Sequence, residues 1–169
     1  MPADAAELSL TEWIVLALLA EGPTHGFALA RQLGRTTALG QVWTVPRPLV
    51  YRALGRLEAQ GFAVPKGEEQ GNPGPPRMIY RATPKGRKAA AAWLVTPVRH
   101  LREVRSAFLA KMILLQRSGT AADPLVASQR EAFAPVFDGL QGQFEEHGDV
   151  VAAWRFESSQ AVARLLARL

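Results

Sequence analysis

A chain of 169 residues with 48% hydrophobic content is long enough for one domain, or one small domain plus an appendage, around a buried core. The absence of cysteine excludes disulfides, thiolate metal sites and cysteine nucleophiles, and it favours a reducing compartment. The net charge of +5 is unevenly spread, with eleven Lys or Arg against three Glu over residues 31–88 but nine basic against eight acidic residues over 96–169; a local excess of one sign is the electrostatic footprint of a nucleic-acid face.

The opening stretch, Met1 to Glu7, is acidic and lacks the basic region of a signal peptide, and the longest apolar run, Trp13 to Ala20, is too short to span a bilayer. A cytoplasmic protein without membrane attachment is expected. Ser9-Leu10-Thr11-Glu12 has the capping-box pattern, in which a Ser side chain and a Glu three residues on satisfy free amides at a helix start. The first helix should run from Leu10 to Ala20 and, being apolar nearly all round, should lie at the centre of the core. Glu21-Gly22-Pro23 ends it. Thr24 then reads as the cap of a second, short helix closed by Gly34, with His25 at its N-terminus placed to hold backbone or phosphate. Residues 35–43 read as an irregular connection.

Pro46 opens the most informative stretch, a helix ending before Gly61 that places Val50, Ala53, Leu54 and Leu57 on one face and Arg47, Tyr51, Arg52 and Arg56 on the other. Arg52 and Arg56 lie one turn apart with only Glu58 as a nearby acid in sequence, so their charges should repel until a polyanion relieves them. The order helix, short helix, loop, basic helix is that of a helix-turn-helix, whose last helix reads the major groove; a solvated basic face is the plainer alternative. Phe62-Ala63-Val64 and Met78-Ile79-Tyr80-Arg81-Ala82 read as two strands. The Gly- and Pro-dense segment from Lys66 to Arg77 between them should be irregular. Such a hairpin behind the basic helix would form a wing that carries Lys66, Arg77 and Arg81 towards a duplex. A helix opening at Thr83 or Pro84 follows, with Lys85 in its first turn.

Three blocks of this sequence, taken in order, resemble the PadR family of transcriptional regulators. They are Leu16 to Leu19 with Gly22-Pro23-Thr24-His25-Gly26-Phe27; Leu49-Val50-Tyr51-Arg52-Ala53-Leu54 with Arg56-Leu57-Glu58 and Gly61-Phe62; and Arg77 through Arg87. The resemblance covers roughly residues 8–94. It implies a winged helix-turn-helix domain, a homodimer on an inverted-repeat operator of double-stranded DNA, and repression relieved by a small-molecule effector. It places Tyr51 and Arg52 on the recognition helix near the DNA, and Arg77 and Arg81 at the wing. The sequence departs from the commoner pattern in the prolines that bracket Arg47 and in its long, proline-rich wing loop.

Residues 96–169 read as three helices: Val98 to Arg117; one opening on Asp123 as cap with Pro124 behind it; and Asp149 to Leu169, with Val151, Trp154, Ser158, Ala161, Val162, Leu165, Leu166 and Leu169 on one side. Some seventy residues of helix have too little interior to cover these stripes alone, so burial against a second copy is expected. Aromatic residues at helical spacing, among them Trp93, Phe108, Phe137 and Trp154, are core or, alternatively, the lining of an effector pocket. The three histidines (25, 100, 147) are far apart, and no cluster has metal-ligand or nucleophile spacing. No enzyme, cofactor or metal is expected. The fold expected is mainly α with a small β-hairpin: a winged helix-turn-helix DNA-binding domain over 1–95 and a helical dimerisation domain, with a possible effector site, over 96–169. DNA-binding candidates are Thr24, His25, Arg47, Tyr51, Arg52, Arg56, Lys66, Arg77, Arg81 and Lys85. The other function class consistent with the pattern is a winged-helix module that binds protein or RNA without operator specificity.

Overall fold

The first helix, α1 (Leu10–Glu21), begins on the expected capping box: Ser9 N donates to Glu12 Oε2 at 2.7 Å and Glu12 N to Ser9 Oγ at 3.4 Å. Ile14 through Leu19 are all buried. The computed structural model describes residues 8–71 and 74–169; the acidic opening stretch and the Asn72-Pro73 part of the wing loop lie outside the described residues. The chain divides into two units between Leu94 and Val95.

In the first unit α1 packs on α4 (Arg47–Ala59), which turns Val50, Ala53, Leu54 and Leu57 inward as its periodicity predicts. Between them lie α2 (Gly26–Gln32) and α3 (Ala38–Val42). The short α3 corrects the expected irregular connection. Thr37 caps it, with its Oγ accepting from Gly40 N at 2.9 Å and donating to Gln32 O at 2.7 Å, so one hydroxyl both starts the helix and ties it to α2.

Three strands complete the unit. Thr24–His25 form β1, Ala63–Glu69 form β2 and Arg77–Ala82 form β3, antiparallel in the order β1-β3-β2. Two expectations are corrected here. Thr24 does not cap α2: it pairs with Tyr80 in the sheet, and His25 is the cap, its Nδ1 accepting from Ala28 N at 3.0 Å. The residues after Val64 are not irregular, because β2 continues through Pro65 and Gly67 to Glu69. An edge strand tolerates a proline that cannot donate. The register slips between Pro65 and Gly67, leaving Lys66 as the extra residue of a bulge. Gly86, at the start of α5 (Pro84–Val95), has no room for a Cβ because the Phe62 carbonyl lies against it. Thr83 Oγ fixes the same corner by donating to Gly61 O at 2.8 Å. Trp13 and Trp93 stack with centroids 5.6 Å apart.

In the second unit the expected continuous helix over Val98 to Arg117 is replaced by a 3₁₀ turn (Leu101–Glu103), a π segment (Val104–Phe108) and α6 (Leu109–Ser118). The start is held back because Val98 is clamped by a buried amide: Val98 N donates to Gln129 Oε1 at 2.7 Å and Gln129 Nε2 to Val98 O at 3.0 Å. Two long helices follow, α7 (Asp123–His147) and α8 (Val150–Arg168), packed along each other. Ala122, not Asp123, is the N-cap of α7, so Asp123 and Pro124 occupy its first turn. Asp149 caps α8, accepting from Ala152 N and Val151 N at 2.8 Å each, and these bonds hold its carboxyl below the usual carboxylate range. The stripe expected along α8 is corrected: of its members only Leu166 is buried, Trp154 is 72% and Val151 55% exposed, and the buried face runs through Ala152, Ser159 and Leu166 instead.

Candidate nucleic-acid interface

Proline decides where α4 can begin. Pro46 precedes the first turn and Pro48 lies inside it, where a missing N–H is of no consequence. With Val50, Ala53, Leu54 and Leu57 committed to the core, Arg47, Tyr51, Arg52 and Arg56 face solvent. These four basic and aromatic groups do not share one environment. Arg56 Nε lies 2.9 Å from Glu12 Oε1, with Glu12 nearly buried and the Arg side chain about half exposed at 52%. The acid that pairs with Arg56 is therefore supplied by α1 rather than by the nearby Glu58, which corrects the expected uncompensated repulsion between Arg52 and Arg56. Arg52 is exposed and forms no ion pair among the described residues.

Arg47 stands at the other end of the helix, in a cleft of about 330 Å³ where α2, α4 and the wing converge. Its guanidinium carbon lies 5.2 Å from the centroid of Phe27 and 5.6 Å from that of Tyr51. Arg77, at the start of β3, reaches the same Phe27 ring at 4.9 Å. His25, Tyr80, Pro75 and Pro76 also line the cleft, and among the described residues no Asp or Glu does. Burial pushes the Tyr80 hydroxyl pKa up, helped by the Glu58 charge and by Tyr51, so Tyr80 is a neutral hydrogen-bonding group there. A Cβ on Gly26 would lie 2.7 Å from Tyr51 Cε1 and 2.9 Å from Cζ, so the close seat of the tyrosine ring requires glycine at that position.

The remaining candidates lie outside this cleft. Thr24 is committed to the sheet, Lys66 stands exposed on its bulge, and Arg81 is exposed on β3 opposite Val64. Lys85 is drawn to the far end of α4: its Nζ donates to Gln60 O at 2.8 Å and lies 4.4 Å from the Phe62 centroid. Among the described residues no three acidic or imidazole side chains are grouped to hold a metal ion. No helix there is long and apolar enough to cross a membrane.

The four aromatic candidates for an effector pocket occupy dissimilar places. Trp93 stacks on Trp13 in the first unit; in the second, Phe108 is fully buried, Phe137 meets Phe133 edge-on at 5.8 Å, and Trp154 faces solvent. Phe27 and Tyr80 are the aromatic members of the cleft that are absent from the candidates drawn from the sequence. An aromatic directly after Gly26, at the head of a short helix leading to a basic one, is the sequence signal for Phe27.

The chain is similar to Bacillus subtilis PadR, whose crystal structure is in complex with operator DNA, at 18% identity over 96% of this chain and 97% of that one, with a TM-score of 0.51. It is also similar to smu.1604c of Streptococcus mutans UA159, at 16% identity over 93% and 96% of the two chains and a TM-score of 0.45. No curated protein matches it. Residues 15–92, which hold α2, α4 and the wing strands, match the family described as transcriptional regulator PadR-like. That match lies within the first unit, and the likeness to Bacillus subtilis PadR is one of fold.

Proposed function

We propose that this protein is a homodimeric, sequence-specific regulator that binds double-stranded DNA in the cytoplasm through the exposed face of α4 and the wing, acting as a repressor released by a small-molecule effector. The observation that carries the reading is the cleft holding Arg47 and Arg77, lined by no Asp or Glu among the described residues, with the exposed Arg52 further along the same helix. Guanidinium groups in that position can reach guanine edges or phosphates, and each phosphate neutralised releases counterions. The likeness to a PadR bound to operator DNA supports a duplex as the ligand. Repression and its release follow from the family resemblance. A second copy is supported by Val150 and Trp154, one turn apart on α8 and 82% and 72% exposed, since an apolar face of this kind marks an interaction site. A two-fold axis would match two half-sites of an inverted repeat.

Titrating the purified protein against the DNA upstream of its own gene, and against a scrambled duplex, over a range of salt tests the reading. Binding should be tighter on the upstream fragment and should weaken steeply as salt rises. Absence of a complex at low salt, or equal affinity for both duplexes, would sink operator recognition; equal affinity would leave a module that grips nucleic acid or protein without reading sequence.

A further inference from the structure

Two guanidinium groups from different elements converge on one aromatic ring: Arg47 of α4 lies 5.2 Å and Arg77 of β3 4.9 Å from the Phe27 centroid. Coulomb repulsion opposes such a gathering, and among the described residues no carboxylate lines the cleft to offset it. Arg77 even has an acid close by in the register, since Glu69 is its cross-strand partner, yet the two form no ion pair among the described residues and the guanidinium lies over Phe27. The ring is half-buried on α2, whose cap and first turn are held by His25, so it is a fixed platform, whereas a free arginine would sample many rotamers.

We infer that Phe27 is a positioning residue that gathers Arg47 from the recognition helix and Arg77 from the wing into one dicationic clamp for a backbone phosphate of the bound duplex. This rests on the DNA-binding reading above. Phe27 need not touch the DNA; it places two cations, so that helix and wing engage the strand together. The clamp positions the protein on the duplex and carries no base preference of its own.

The test compares full-length wild-type protein with Phe27→Leu, Phe27→Tyr, Arg47→Ala, Arg77→Ala and the combinations of Phe27→Leu with each arginine change. The readouts are duplex affinity against salt and, in the free protein, the ring-current shifts of the Arg47 and Arg77 side-chain NMR signals. Phe27→Leu should lower affinity about fivefold or more and reduce the salt slope by about one contact or more, equally on specific and scrambled duplexes. Phe27→Tyr should restore both. In the Phe27→Leu background each arginine change should lose much of its effect, and both arginine signals should lose their ring-current shifts. Wild-type slope and affinity in Phe27→Leu, or additive losses in the combined variants, would overturn the clamp while leaving DNA binding standing. Loss without rescue by Phe27→Tyr would mark Phe27 as a packing residue and also overturn it. Failure of the wild-type protein to bind any duplex would instead sink the DNA reading itself, and the phosphate clamp with it.

Discussion

Arg52 and Arg56 look equivalent in sequence, one turn apart on the same basic face, and the structure separates them. Arg56 neutralises Glu12, which is 3% exposed and also closes the capping box of α1, so its guanidinium helps to hold α4 against α1. Arg52 has no such tie. Arg56→Ala should therefore leave a nearly buried carboxylate short of a partner and lower stability by about 1–3 kcal/mol. Arg52→Ala should change stability by no more than about 0.5 kcal/mol, while costing about 1–3 kcal/mol in operator binding. Urea denaturation and duplex titration of both variants check this, and equal stabilities would show that the Glu12 contact does not hold the two helices together. Lys85 is a comparable case, a candidate for the duplex whose ammonium is spent on the Gln60 carbonyl and the face of Phe62.

At the scale of elements, the first unit obeys local rules except where the sheet recruits residues that look helical or irregular. The second unit is less regular, and its buried polar groups explain where its helices stop and start. Gln129 clamps Val98, and the nearly buried Lys111 on α6 donates to Thr96 O at 2.6 Å. Burial lowers the Lys111 pKa from the ordinary 10.5 to about 8, although the Glu103 charge works in the opposite direction. Below pH 8 the folded and unfolded chains both hold this proton, and the folded state bears the desolvation. Between about pH 8 and 10.5 the unfolded chain holds more protons, so this group makes stability rise with pH over that window. Thermal midpoints measured at pH 7 and 9.5 should show a more favourable change for wild type than for Lys111→Met. Parallel behaviour would mean that Lys111 titrates normally in the folded protein. Pro135 lies inside α7 and supplies no amide to the turn before it, which weakens that helix at its middle.

At the scale of the whole molecule, the two units differ in charge as well as in architecture. The basic excess is confined to the winged unit, while the second is close to neutral and leaves Val150, Val151 and Trp154 exposed on one side of α8. If that side meets a second copy, Trp154→Arg should shift the protein from dimer to monomer in sedimentation at micromolar concentration and lower affinity for a two-half-site duplex more than for a single half-site. An unchanged sedimentation coefficient would place the interface elsewhere.

The amino-acid sequence by itself determined α1, the inward stripe of α4, the wing strand Met78 to Ala82 and the basic bias of the winged unit, because each follows from contacts within a few residues: capping pairs, 3.6-residue periodicity, proline and local charge. Only the tertiary structure decided that Thr24 joins a sheet with Tyr80, that β2 runs on through Pro65, that Glu12 claims Arg56, and that Phe27 collects Arg47 and Arg77. Those outcomes are partnerships across tens of residues, and a strand edge, a buried carboxylate or an aromatic face selects its partner by proximity in the folded chain, which no local pattern encodes.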